Sequence, residues 1–391
     1  MASYHFFAVC PRTLEPVLAK ELEELGAQKI QQNPGGVLFE GPLNLVCLHS
    51  RYASRILLRV ATRRYYDSHD IYDMAYALPW ERFFTTEETL RVDVTARNSP
   101  LESLDFTTLR IKDGICDHFR DGCGKRPDIA KSNPDVRIHA FITESHCTFY
   151  LNLSGEPLFK RGWRIEKGEA PLKENLAAGL LALSAWDGSS PLQDIFCGSG
   201  TIAIEAAQIA CNMAPGLNRC FGFEKLQIFD LDLWQEMKED AKAAINLHAP
   251  VKIAASDISA IVVAKAESNA LRAGLQSLLD DGRLTFTRCD AREVGPIAEI
   301  GTVVSNPPYG EQSNPKSASV ASMMKNVADN LKKQFSGWTI WLLTSDRKLP
   351  NQMRLSESRK IVIFNGPLEC RFFKFEMVRG SFRKADKTPK T

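Results

Sequence analysis

The 391-residue sequence has no apolar run of about 18 residues, so it offers no membrane-crossing helix. Its first residues, MASYHFFAVCPRTLEP, lack a basic stretch followed by a long apolar one, and no secretory signal is expected. None of the ten cysteines stands in a C-x-x-C pair. Scattered thiols in a long chain argue against a disulfide framework or a zinc site, and for a reducing cytoplasm. No internal repeat or low-complexity tract is present, and no histidine follows His248. Chemistry in the last third would therefore work without an imidazole base. The formal charge is only +2, and residues 1–164 hold 21 basic and 21 acidic side chains, so charge balance alone marks no nucleic-acid binder. Only 379–391 is basic, with five cations and one acid. That tail could touch phosphate or be a solvated end.

What is present is the ordinary balance of a globular protein, 44% hydrophobic and 25% charged, in a chain long enough for two or three domains. Residues 5–64 predict a small α/β unit. YHFFAVC reads as a strand, LEPVLAKELEELG as a helix stopping at Gly26, and GGVLFEG as a strand bounded by glycines. NLVCLHSRYASRILL predicts a helix running toward a strand, with Arg51, Arg55 and Arg59 on one face. Further on, IYDMAYALPW and DFTTLRIKDGICDHFRDGCG predict helices, TLRVDVTARN a strand, and RIHAFITESHCTFYLNLSG a hairpin. FKRGWRIEKGEAPLKEN, with its Gly, Pro and charges, marks a boundary near residue 165. From 170 onward helices and strands alternate, which predicts a doubly wound, mostly parallel α/β sheet. RKIVIFNGPLECRFFKFEMVR predicts an antiparallel hairpin at its edge.

The segment PLQDIFCGSGTIAIEAAQIA predicts a strand, a glycine-rich turn and a helix. Gly198 and Gly200 permit unusual backbone angles and close approach of a ligand, and a helix start favours an anion. For S-adenosylmethionine (SAM) that anion is the methionine carboxylate, and Asp194 could accept from the amino group. Ile204 stands where the third glycine of a dinucleotide fingerprint would be, which lowers the NAD reading. A second acid should hold the ribose hydroxyls. Asp257, closing the strand in VKIAASDIS, is preferred to Glu224 in RCFGFEK, with 212–250 taken as an inserted loop and helix. Asp290, in LTFTRCDARE, follows the third strand and could meet the adenine amino group. The bland alternative for Asp257 and Asp290 is helix capping.

After the strand TVVS come Asn306, Pro307, Pro308, Tyr309 and Gly310. Two prolines stiffen a loop where parallel sheets bind ligands. An exocyclic amine is a poor nucleophile because its lone pair is drawn into the ring. The Asn306 side-chain oxygen and the Pro307 carbonyl, accepting its hydrogens, would free that pair for in-line attack on a sulfonium methyl. Tyr309 would stack on a base taken out of its helix.

The strings LFKRGWR, APLKENLAAGLL, DIFCGSGTIAIEAA, PG-x-x-R-x-FGFE, NPPYGE and NGPLECR together resemble the THUMP-domain class I SAM-dependent RNA guanine-N2 methyltransferases of the bacterial 23S rRNA type. Members often carry the label N6-adenine-specific DNA methylase. The resemblance implies a ferredoxin-like domain at 1–64, a THUMP RNA-binding domain at 65–164, both α+β, and a Rossmann-like methyltransferase domain at 165–391. It implies a SAM site of Asp194, Cys197, Gly198, Ser199, Gly200, Thr201, Asp257, Ile258, Asp290 and Ala291, and an amine site at 306–309. Its expected partner is structured RNA, 23S rRNA or a ribosome-assembly intermediate. Some bacterial relatives carry a second methyltransferase domain downstream, so a chain ending at Thr391 is expected to perform one reaction.

The nearest rival is a DNA or RNA adenine-N6 methyltransferase, because NPPY serves either amine; no sizeable target-recognition insertion follows the loop. A protein glutamine methyltransferase uses the same motif. From another class, the chain could be a catalytically silent RNA-binding or assembly factor, which a SAM titration would discriminate.

Overall fold

The structure is a computed structural model that describes residues 4–41, 44, 46–165, 172–309 and 317–378. Its backbone packing forms two units, 1–162 with 213–245, and 163–212 with 246–391. The segment 213–245, read from the sequence as an insertion of the C-terminal half, thus packs with the N-terminal unit.

The first unit is built on β1 (Tyr4–Val9), α1 (Glu15–Glu24), β2 (Gln28–Asn33), β3 (Gly36–Gly41), β4 (Arg55–Arg64), α2 (Ser68–Ala77), β5 (Leu90–Ala96), α3 (Leu104–Cys123), β6 (Val136–Ile142) and β7 (His146–Asn152). One sheet of seven strands runs β2-β3-β1-β4-β7-β6-β5. Pairing of β4 with β7 makes it continuous across residues 1–64 and 65–164. Only β5 and β6 are parallel within it. Alternation buries Val136, Ile138, Ala140 and Ile142 on one face of β6. Helix α2 starts at Asp67, whose carboxylate accepts from the amides of His69 and Asp70. Helix α3 starts at Ser103 and ends at Gly124, whose φ of 74° suits the left-handed turn-off.

Residues 44–52 do not form the expected helix. They are turns, because the buried Glu21 carboxylate of α1 takes the Ser50 hydroxyl at 2.6 Å and the Arg51 amide at 2.7 Å. Arg51 reaches the Met213 carbonyl, while Arg55 and Arg59 lie on β4, so no three-arginine helix face exists. The presumed linker is also partly core: Arg161 and Trp163 are buried, and residues 166–171 lie outside the described ones.

The second unit contains α4 (Glu174–Leu183), β8 (Leu192–Asp194), α5 (Thr201–Ala210), β9 (Ile253–Asp257), α7 (Ala260–Arg272), α8 (Gln276–Asp280), β10 (Leu284–Arg288), β11 (Thr302–Ser305), α9 (Ser317–Gln334), β12 (Thr339–Thr344), α10 (Leu349–Met353), β13 (Arg359–Asn365) and β14 (Leu368–Glu376); α6 (Leu231–Ala243) belongs to the first unit. Its sheet runs β10-β9-β8-β11-β12-β14-β13. The five strands from β10 to β12 are parallel, and β14 and β13 close the edge as the expected antiparallel hairpin. Central strands are apolar on both faces, as buried parallel strands require: Val303, Val304, Ile340 and Leu342 are all fully buried. The chain leaves β8 toward β9 and β10 on one side and returns through β11 to β12 on the other. The switch point between β8 and β11 is where such sheets open a crevice at their carboxyl ends. Among the described residues no helix is long and apolar enough to cross a membrane.

Candidate active site

Asp194 is the last residue of β8 and Ser305 the last of β11, and both are buried. The Ser305 hydroxyl donates to Asp194 Oδ1 at 2.6 Å and accepts the Ile195 amide at 2.8 Å. This one serine ties the strand that launches the glycine turn to the strand that launches NPPY. The sequence reading missed it. Asp194 Oδ1 also accepts the Phe196 amide, while Oδ2 makes no hydrogen bond among the described residues. Burial raises the Asp194 carboxyl to about 7, against the lowering effect of the Ser305 bond.

The turn is held from several sides. Gly198 has φ 51° and Gly200 φ 85°, angles that glycine adopts without strain. A Cβ on Gly198 would meet open space, whereas one on Gly200 would press Ala266 Cβ at 3.0 Å and the Phe286 ring at 3.1 Å. The first glycine therefore borders the crevice and the second packs on the protein. The Gly198 amide donates to Asp257 Oδ2 at 3.2 Å, and Cys197 donates its amide to the Ser256 carbonyl. Those two amides are spent inside the protein and are not free for a ligand carboxylate, which leaves the first turn of α5. Ser199 is fixed by the fully buried Asn269, whose Nδ2 donates to its carbonyl at 3.1 Å. Arg164 donates to Thr201 Oγ1 at 2.6 Å and pairs with Glu174 at 3.0 Å, both side chains being buried. Asn269 and Arg164 were also absent from the sequence reading. The Cys197 thiol is buried and pushed far up, which keeps it neutral and unreactive.

Asp257 closes β9. Its Oδ1 takes the Ser259 amide at 3.0 Å, but Ser259 is the cap of α7, so Asp257 is not itself the cap. The next residue, Ile258, is an apolar side chain left 61% exposed. Glu224 lies in the first unit, where it takes the Phe221 amide. After β10, Asp290 is engaged by Arg292 through both carboxylate oxygens, which holds its carboxyl below the usual range. Ala291 is buried in the core with Val327 and Ala328, so a role in ligand binding would fall to its main chain.

Directly after β11, Asn306 Oδ1 accepts the Tyr309 hydroxyl, and Tyr309 lies against Cys370 of β14, with hydroxyl to Sγ 3.9 Å. Burial pushes the Tyr309 phenol up, so it stays a donor at all ordinary pH. Pro307 is buried, and Pro308 and Tyr309 are half-buried. Gly310 lies outside the described residues.

A polar crevice wall with an unpartnered carboxylate oxygen, open space over Gly198 and an exposed apolar residue beside Asp257 suits a ligand carrying an ammonium group and an aromatic ring. Residues 161–374 match the family described as RMKL-like, methyltransferase domain. The chain belongs to this family. In RMKL-like chains the methyltransferase part is here preceded by matches to an RlmL ferredoxin-like domain at 5–57 and a THUMP domain at 65–152. Ribosomal RNA large subunit methyltransferase K/L of Shewanella amazonensis is 38% identical over 97% of this chain and 54% of its own length. The chain thus spans about half the length of the curated relatives it matches. SMU.472, a candidate methyltransferase complexed with SAH, superposes with a TM-score of 0.87 at 26% identity, over 97% of this chain and all of its own. A predicted N6-adenine-specific DNA methylase from Listeria monocytogenes gives 0.86 at 27% identity, over 96% of each chain.

Proposed function

We propose that this RMKL-like chain is a SAM-dependent methyltransferase that modifies an exocyclic base amine, guanine N2 of 23S rRNA. The observation that carries the reading is the 2.6 Å bond between Ser305 and Asp194, which couples the glycine turn to NPPY. The SAH complex of SMU.472 and the name of the Shewanella relative support the cofactor and the substrate class. When bound, SAM supplies an electrophilic methyl on sulfur.

The chain's own residues do the rest. Asp194 Oδ2 and the first turn of α5 would hold the amino and carboxylate ends, Asp257 the ribose hydroxyls, and Ile258 would cover the adenine. Asp290 can reach the adenine amino group only by sharing its carboxylate with Arg292. Asn306 Oδ1 and the Pro307 carbonyl would accept the two hydrogens of the target amine and free its lone pair. Because Tyr309 occupies Asn306 Oδ1, an entering amine must displace that hydroxyl. This swings the tyrosine away from Asn306 at the moment a ring is wanted against the base.

Incubation of rRNA with methyl-labelled SAM, followed by digestion to nucleosides, tests the proposal. Labelled N2-methylguanosine is expected. N6-methyladenosine would transfer the same amine chemistry to the other base, and absence of SAM binding would return the chain to an RNA-binding factor.

A further inference from the structure

Register in the first sheet fixes which side chains share a face. Arg59 lies opposite Tyr150, Tyr150 opposite His139, and His139 opposite Asp93. The other face buries Phe149 edge-on against Trp80. Counting by two from the Tyr150 row, and allowing for the bulge between Arg59 and Ala61, that row's face carries Arg55, Arg59, Arg64, Arg91 and Arg137. The rings of Phe7 and Phe141 share it, both half-buried, with Phe7 6.4 Å from Tyr150.

Two of the five arginines are neutralised locally. Arg91 pairs with Asp93 at 2.8 Å and Arg137 with Glu156 at 3.1 Å. Arg59 and Arg64 make no hydrogen bond or ion pair among the described residues, and Arg64 is exposed. Beyond Arg91 the sheet edge opens into a cleft of about 310 Å³ lined also by Lys112, Lys131, Leu109 and Ile129. Cations interleaved with rings thus run from β4 across to the edge, although the chain as a whole is almost neutral.

We propose that this face receives an unpaired stretch of the RNA substrate, with phosphates on Arg59 and Arg64 and bases against Phe141 and Phe7. The inference rests on the RNA reading above and deepens it. Phosphates complement guanidinium groups that have no carboxylate partner. Rings on a sheet can meet only bases that are not already stacked in a duplex, which selects single-stranded over paired RNA.

The test uses the full chain, a fluorescein-labelled oligouridylate and fluorescence anisotropy across a salt series. The wild type should bind this probe more tightly than a duplex of equal length. Joint replacement Arg59→Gln and Arg64→Gln should weaken binding roughly tenfold and flatten the salt slope by about 2, one unit for each lost phosphate contact. Phe141→Leu should weaken binding about fivefold or more without changing the slope. Calorimetric SAM binding by each variant checks that the chain is folded, and the exposed Arg64→Gln alone decides if Phe141→Leu unfolds. Unchanged affinity in the arginine variants, or equal preference for the duplex, overturns the proposal. If those variants bind like the wild type while the wild type methylates rRNA, this inference fails and the RNA reading stands; a wild type that neither binds nor modifies RNA ends both.

Discussion

Replacing Ser305 with alanine removes the tie between the two motifs and changes nothing else in their sequences. Its hydroxyl is fully buried between the Asp194 carboxylate and the Ile195 amide. Losing a bond to an ionised group forfeits about 1.5–3 kcal/mol, and the orphaned Ile195 amide costs about 1–3 kcal/mol more. The sum, roughly 3–5 kcal/mol, is a large part of the 5–15 kcal/mol typical of a domain. The loss should depend on pH. Burial raises Asp194 to about 7, so the folded state holds this proton more tightly than the unfolded chain does. The stability this group contributes is full below its ordinary value and is lost as pH rises through about 7. The Ser305 bond opposes that rise, so Ser305→Ala pushes the carboxyl higher and extends the loss to more alkaline pH. SAM affinity should move with it. At neutral pH the variant carboxyl is mostly protonated and holds an ammonium group poorly, and affinity recovers as pH is raised. Urea unfolding and SAM calorimetry between about pH 6 and pH 9 measure both. A destabilisation below about 1 kcal/mol, with SAM affinity independent of pH, would refute the reasoning.

Asn306→Ala should leave SAM binding intact and lower turnover about 10²–10³-fold, the scale of one oriented hydrogen-bonding group, in single-turnover assays. Tyr309→Phe frees Asn306 Oδ1 but keeps the ring, so its turnover should fall far less than that of Asn306→Ala; an equal loss would mean the hydroxyl acts in the reaction. Asp257→Ala should weaken SAM binding by about 1.5–3 kcal/mol through lost charged bonds, measured by calorimetry, while Glu224→Ala should not. Gly200→Ala forces a Cβ against Ala266 and Phe286 at a φ of 85° and should cost about 1–3 kcal/mol in thermal unfolding, whereas Gly198→Val should be read chiefly as lost SAM affinity.

The second sheet was legible because its strands are apolar runs separated by amphipathic helices, and periodicity reports that directly. β2 was not, because QKIQQN is an edge strand with no buried residue and therefore no alternation to see. The turns at 44–52 were misread for a different reason: apolar spacing there imitates a helix, while the deciding contact is with Glu21, about thirty residues away. Within the site, glycines, prolines and acids at strand ends could be found because they are unusual where they stand. Ser305, Asn269 and Arg164 are ordinary residues whose importance comes from partners 70, 111 and 37 positions distant. The only local signal was a polar residue closing a buried strand just before NPPY. In the first unit the bulge in β4 shifts which arginines share a face, and that could not be read without the register.

The most direct measurement is the fate of a labelled methyl group. Purified chain, methyl-labelled SAM and rRNA lacking its own modification are combined, and the RNA is digested and resolved by mass. The account predicts label in N2-methylguanosine for the wild type and its near absence with Asn306→Ala under conditions where SAM still binds. Label on a ribose oxygen or a ring carbon, or full labelling by Asn306→Ala, would contradict it.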